Sequence, residues 1–437
     1  MIVPSIDIMN GRAVQLRGGK QPPLDAGNPL ELAERYARVG EFAVVDLDAA
    51  KGIGSNRELI LSLCRTHRVR VGGGIRTIGL AMDYLNEGAR SIMIGTSATP
   101  EFLSSLPRER LIAALDSKEG TIMVEGWSRP REGSIEQSIS VLSPYVSGFL
   151  ITFIETEGDQ CGIDIERARK LIALSPNRKF TFAGGAAGGE RGIADIAALD
   201  RLGADLQVGT SLVLGDLSLA EAFAAPLVTD RADGLWPTLV CDESGKALGL
   251  VHSSMDSLKV ALNSGKGTYH SRSRGLWVKG ESSGNDQTLI RAELDCDRDT
   301  IRFTVRQNGE GFCHLGRRTC FDNGYGLEKL DRTIKKRMKE APPGSYTRRL
   351  FADESLLASK LREEVQELAQ AKSIQEAISE AADVLYFTLV KTISMGASLS
   401  DIEEELERRS LRVTRRGGDA KPEFEGPEGK SEWKSIH

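Results

Sequence analysis

Val69-Arg70-Val71-Gly72-Gly73-Gly74 is a short apolar run closed by glycines, and its echo in Phe180-Thr181-Phe182-Ala183-Gly184-Gly185 decides the fold. Other runs echo as well. Ser91–Ile94 ends in Gly95-Thr96-Ser97, and Asp205–Val208 ends in Gly209-Thr210-Ser211. Ile2–Ile6 leads to Asp7, and Leu111–Leu115 leads to Asp116. With Ala43–Val45 and Gly148–Ile151 there are eight such runs. The segments Pro29–Val39, Ile78–Glu87, Ile165–Ala173 and Ile193–Leu202 carry helical periodicity between them. Eight β-α units with matching halves predict an N-terminal (β/α)8 TIM barrel.

In such a barrel, residues just after the strands face the active site. Glycine there lets backbone N–H groups approach a phosphate. Gly73, Gly74, Gly95 and Thr96 make one candidate cradle, and Gly184, Gly185, Gly209 and Thr210 make its counterpart. Two cradles suit a substrate with a phosphate at each end. Asp7 and Asp116 between them suit a general base and a general acid. The bland alternative is turn glycines and a capping Asp7; the paired repeat weighs against it.

The chain has 437 residues, which predicts two or three domains. A net charge of −5 argues against a nucleic-acid surface and points to small-molecule work. No apolar run reaches membrane-spanning length. The start, Met1-Ile2-Val3-Pro4-Ser5-Ile6-Asp7, reads as a strand rather than a targeting segment. The expected location is the cytoplasm, without a membrane partner.

Three of the six cysteines fall between Asp295 and Cys320, together with His314. The stretch opens Asp295-Cys296-Asp297-Arg298-Asp299 and closes with Cys313-His314 and Cys320. Thiolate selects zinc and carboxylate selects magnesium, so a mixed metal site is expected in a reducing compartment. Upstream, Arg272 and Arg274 suit bidentate phosphate binding. The polar turn with Glu281 that follows the strand-like run Leu276–Lys279 could line the same pocket; each alone reads as a solvated hairpin. Downstream, helical periodicity runs from Asp353 to Ala371 and from Gln375 to Met395. Glu364 with Glu367, and Glu380 with Asp383, are three apart and share helix faces. Two such faces packed together make an oxygen cage for magnesium. Taken alone, each acidic pair reads as a solvated face.

Three resemblances add to this reading. Pro4–Gly11, Val45-Asp46-Leu47-Asp48, Val71–Arg76, Leu115-Asp116, Gly126-Trp127 and Val208–Leu212 resemble the ProFAR isomerases of histidine biosynthesis, across nearly all of residues 1–225. This implies an Amadori rearrangement, with Asp7 as base, Asp116 as acid and Thr152 assisting. Glu157-Gly158-Asp159 and Gly184-Gly185-Ala186 depart from the bacterial pattern and look more like the eukaryotic isomerases. Ser271–Arg274, Trp277, Lys279–Asn285, Asp295–Asp299, Cys313-His314 and Cys320 resemble phosphoribosyl-AMP cyclohydrolase. This implies Zn2+ on Cys296, Cys313 and Cys320, contributed by both subunits of a homodimer. It also implies Mg2+ on Asp295, Asp297 and Asp299, with His314 as a candidate proton shuttle. Tyr346–Leu350, Lys360, Glu363-Glu364, Glu367, Glu380–Asp383 and Arg412–Arg416 resemble phosphoribosyl-ATP pyrophosphohydrolase, a MazG-like all-α enzyme that binds an ATP-derived nucleotide. Its Mg2+ ligands would be Glu364, Glu367, Glu380 and Asp383, and Arg348 and Arg349 would contact phosphate.

The expected domains are 1–226 for the barrel, 227–335 for an α+β cyclohydrolase and 336–416 for the helical pyrophosphohydrolase, with a disordered tail at 417–437. The three reactions are consecutive, which predicts a multifunctional histidine-biosynthesis enzyme acting on phosphoribosylated nucleotides. The alternatives are a bifunctional hydrolase on a silent barrel, a non-catalytic metal-binding regulator, and a general nucleotide-cleaning helical domain.

Overall fold

The computed structural model describes residues 1–17, 20–124, 126–127, 129–157, 159–309, 311–321 and 326–414. The tail expected at 417–437 lies outside the described residues.

All eight apolar runs of the first half are strands. We number them β1 (Ile2–Met9), β2 (Phe42–Asp46), β3 (Val69–Gly72), β4 (Ser91–Ile94), β5 (Leu111–Lys118), β6 (Gly148–Phe153), β7 (Lys179–Ala183) and β8 (Asp205–Val208). Each pairs in parallel with its neighbours, and β5–β6 and β8–β1 close the ring. Val3, Ala43, Met93, Ile112, Leu150 and Ala183 form a cluster of their own inside the ring. Alternate residues such as Ile2, Val44, Val71 and Phe182 pack outward under the helices. Phe149 and Phe180 stack at 5.3 Å and extend that layer.

Two hairpins go beyond the periodic pattern. Asn10 and Gly11 take φ of 50° and 72°, and Glu119 and Gly120 take 52° and 87°. Left-handed pairs of this kind make tight two-residue turns. Each reverses its strand, so Arg12–Arg17 returns beside β1 and Thr121–Val124 beside β5. Asp7 and Asp116 stand three residues before their respective turns. The sequence echo is therefore also a structural one.

The second unit is a six-stranded mixed sheet whose antiparallel pairs flank one parallel pair, Trp236–Cys241 with Ile301–Gln307. The helix Met255–Ser264 lies on it, started by a Ser254–Ser257 capping box. The third unit is helical, with Glu354–Gln370 against Ile374–Ser394 around Ile334, Leu350, Leu357, Phe387 and Val390. The helix Gly326–Glu340 packs Ile334 into this cluster, so the expected division at 335/336 falls inside a helix. Its packing partner, the helical cluster, is built from residues further along the chain.

The joints use segments that lead into the amino ends of the barrel strands. Arg38 donates to the carbonyls of Leu262 and Asn263 at 2.7 and 3.0 Å. Asp200 meets Arg298. Asn86 accepts from the Val413 and Thr414 amides at 3.2 and 2.9 Å. The barrel mouth, at the other ends of the strands, stays clear of these joints.

Candidate active and metal sites

Asp7, Asp116 and Thr152, with both glycine cradles, line one cavity of about 270 Å³ at the carboxyl ends of the strands. The cradle glycines are there for a steric reason. A Cβ on Gly73 (φ +92°) would lie 2.3 Å from the Asp46 carbonyl oxygen, and one on Gly184 (φ +87°) 2.2 Å from that of Phe153. Only glycine permits that approach at that φ.

The Val45-Asp46-Leu47-Asp48 stretch has a supporting part. The buried Asp46 carboxylate accepts from the Ala49 amide and from Asn56 Nδ2, and Asp48 accepts from the Asn10 amide at 2.6 Å. Asn56 Oδ1 in turn takes the Gly11 amide at 2.8 Å. This network ties the turn after Asp7 to the loop after β2.

Loss of water pushes the Asp7 carboxyl up to about 6, against a stabilising Ser5 hydroxyl donor at 3.1 Å. Desolvation also raises Asp116, while Trp127 Nε1–H, donating at 2.9 Å, and Thr152 favour its ionised form. Glu157, which the sequence reading passed over as a family departure, lines the same cavity. Desolvation first, and then the charges of Asp7 and Asp116, push it up to about 8. Its only signal in the sequence is its place shortly after β6. Three carboxyls around one cavity, all raised and with Asp7 and Glu157 set apart, can move protons in both directions.

In the second unit Cys313 and Cys320 come together: burial, and then the Cys313 thiol, push the Cys320 thiol up, and Lys279 lies beside both. Lys279 is 6% exposed; burial lowers it, and the two thiols oppose that. Its ammonium lies 5.6 Å over Phe312 and 5.9 Å over Trp277, and Arg274 lies 5.7 Å over Trp277. Cys296 stands apart, exposed, against Asp297. Among the described residues no group unites the three thiols, whereas carboxylate oxygens of Asp295, Asp297 and Asp299 converge within 4.8 Å. Arg272, Glu281 and His314 are exposed.

In the helical unit Glu364, Glu380 and Asp383 offer oxygens within 4.8 Å, as do Glu363, Glu364 and Glu367. Glu364 is 5% exposed and takes the Lys360 ammonium at 2.7 Å. Partial desolvation and the neighbouring Glu367, Glu364 and Asp383 raise Glu380. A cage of mutually repelling carboxylates suits a hard cation. Arg348 and Arg349 are exposed at the start of this unit. Among the described residues, no helix is long and apolar enough to cross a membrane.

Comparison with known proteins divides the chain the same way. Residues 1–217 match the family described as histidine biosynthesis protein, 250–322 match phosphoribosyl-AMP cyclohydrolase, and 327–410 match phosphoribosyl-ATP pyrophosphohydrolase. A histidine biosynthesis bifunctional protein of Xanthomonas axonopodis pv. citri is 37% identical over 195 residues, covering 42% of this chain and 94% of that protein. A histidine biosynthesis trifunctional protein of Komagataella pastoris is 49% identical over 216 residues, covering 49% of this chain and 26% of its own length. A bifunctional one of Schizosaccharomyces pombe is 49% identical over 205 residues, covering 47% of this chain and 49% of its own length. The chain thus spans about a quarter of the trifunctional relatives it matches.

Proposed function

For a chain that belongs to the histidine-biosynthesis proteins, we propose three consecutive activities on one polypeptide. The helical unit hydrolyses phosphoribosyl-ATP to phosphoribosyl-AMP and pyrophosphate. The sheet unit opens the adenine ring to give ProFAR, and the barrel isomerises ProFAR to PRFAR. What carries this reading is the order of three family matches, each over a site of fitting chemistry.

In the barrel the two glycine cradles take the terminal phosphates through backbone N–H groups. Asp7, at about 6, is ionised at neutral pH and removes the substrate's C2 proton. Asp116, aided by Thr152, gives a proton to the opening sugar ring. Glu157, at about 8, keeps its proton at neutral pH and restores that of Asp116.

In the sheet unit Cys296, Cys313 and Cys320 are the proposed Zn2+ ligands. Bound zinc supplies a hydroxide near neutral pH. Cys296 stands away from the other two thiols in one copy, which supports a site completed by a second copy and hence a homodimer. Asp295, Asp297 and Asp299 would hold Mg2+. Arg272, Arg274, Lys279 and Glu281 orient the phosphoribosyl arms, and His314 serves as proton shuttle. In the helical unit Glu364, Glu367, Glu380 and Asp383 would hold Mg2+, and Arg348 and Arg349 receive the phosphates. We place the unit limits near 226 and 325 and the enzyme in the cytoplasm, where its free thiols stay reduced.

Product analysis with phosphoribosyl-ATP as the only substrate tests all three steps. Accumulation of PRFAR is expected. Arrest at ProFAR would leave the barrel as a scaffold, and arrest at phosphoribosyl-AMP would remove the cyclohydrolase.

A further inference from the structure

The loop 295–300 carries Cys296 and three aspartates, and a barrel residue grips it. Arg298 sits between two of those aspartates with φ of +65°, a backbone state that L side chains rarely adopt. Its guanidinium donates to Asp200 through Nε and Nη2, at 2.8 and 3.0 Å. The same guanidinium donates to the Asp295 carbonyl. The Val228 amide, just past the barrel, donates to the Arg298 carbonyl at 2.8 Å. Asp295 Oδ1 closes the loop by accepting the Asp299 and Thr300 amides at 3.1 and 3.2 Å.

We propose that Asp200, a barrel residue, is a positioning residue for the cyclohydrolase metal loop. It fixes the Arg298 fork, and Arg298 fixes the turn that presents Cys296, Asp295, Asp297 and Asp299. The Asp200 side chain is 9% exposed and that of Arg298 is 25% exposed, so the pair is shielded from water. A bidentate fork in such a place sets direction as well as distance. Asp200 precedes β8, at the end of the barrel opposite the isomerase cavity. The isomerase domain therefore serves a second reaction by holding its neighbour's ligands.

The inference rests on the cyclohydrolase reading, but the two fail separately. A wild-type chain that binds zinc and leaves phosphoribosyl-AMP unopened refutes that reading and leaves the zinc comparison standing. The test compares the full chain with Asp200→Asn, Asp200→Glu and Arg298→Lys. Zinc affinity is read by competition with a chromogenic chelator, and ProFAR isomerisation reports barrel integrity. Asp200→Asn and Arg298→Lys should each bind zinc about tenfold more weakly, in the range set by second-shell partners of metal ligands. Asp200→Glu, which keeps the carboxylate, should recover most of that affinity, and isomerisation should stay at wild-type rate in all three. Unchanged zinc affinity in Asp200→Asn or Arg298→Lys overturns the proposal. So does a loss of isomerisation in step with zinc, which marks the pair as a contact that merely holds the fold.

Discussion

The barrel cavity and the Cys296–Cys320 region are built on opposite plans. Within one chain the barrel site gathers both cradles and three carboxyls around one cavity. The thiols, by contrast, are split: Cys313 and Cys320 meet, and Cys296 sits on a loop held against the barrel. A ring of strands closes on itself, so its contents converge without help. In the sheet unit Cys296 lies away from Cys313 and Cys320 within one copy, and the proposed second copy would bring the three together.

The largest expected effects test the split. Cys313→Ser and Cys296→Ser should each reduce ring opening to background while ProFAR isomerisation persists. Mixed after subunit exchange, the two inactive variants should regain about a quarter of wild-type ring opening, since half the dimers are hybrids with one intact site each. No recovery on mixing would mean that each copy assembles its own thiols, and the contrast would collapse.

Asp7→Asn should slow isomerisation by about 10²–10⁴-fold and leave ring opening and pyrophosphate release unchanged. Parallel loss in all three assays would show that the units are not separable.

A smaller effect lies in pH. Isomerisation should rise as Asp7 ionises near 6 and fall as Glu157 ionises near 8. Glu157→Gln should slow turnover about tenfold and erase the alkaline limb. The same residue predicts a stability change. A carboxyl raised on folding contributes stability at low pH that is lost as pH climbs from its unfolded value of 4.5 towards about 8. Glu157→Gln should therefore melt higher than wild type above pH 8 and not at pH 4. A pH-rate profile and a melting series read both.

The smallest effect concerns the joint. Asn86→Ala removes the side chain that ties Val413 and Thr414 to the barrel. About 1 kcal/mol is expected from the lost hydrogen bonds. Faster proteolysis after the last helix, with all three activities intact, would confirm a local tie.

The fold was largely legible because its signals are local. Val69–Val71, Phe180–Ala183 and their fellows are apolar runs punctuated by glycine, and the paired Asp7 and Asp116 mark the repeat. The Asn10-Gly11 turn was also readable, as an Asn-Gly pair between apolar runs. Glu119-Gly120 was not, since glutamate seldom takes a left-handed φ. Glu157 stayed hidden because its chemistry comes from the space around it rather than from its neighbours in sequence. The helix Gly326–Glu340 spans the expected 335/336 limit, and its buried Asp331 and Ile334 stand among many charged residues in the sequence.

By itself the sequence determined which elements form, which residue types can hold metal or move protons, and which families the three segments resemble. The first two follow from periodicity, turn chemistry and ligand type, and the resemblances follow from short motifs; all are short-range properties of the chain. Only the tertiary structure decided that Glu157 faces two aspartates, that Cys296 stands apart from Cys313, and that Asp200 reaches across to Arg298. Each depends on parts of the chain far apart in sequence. Desolvation and charge-charge distance exist only once the chain has closed around them.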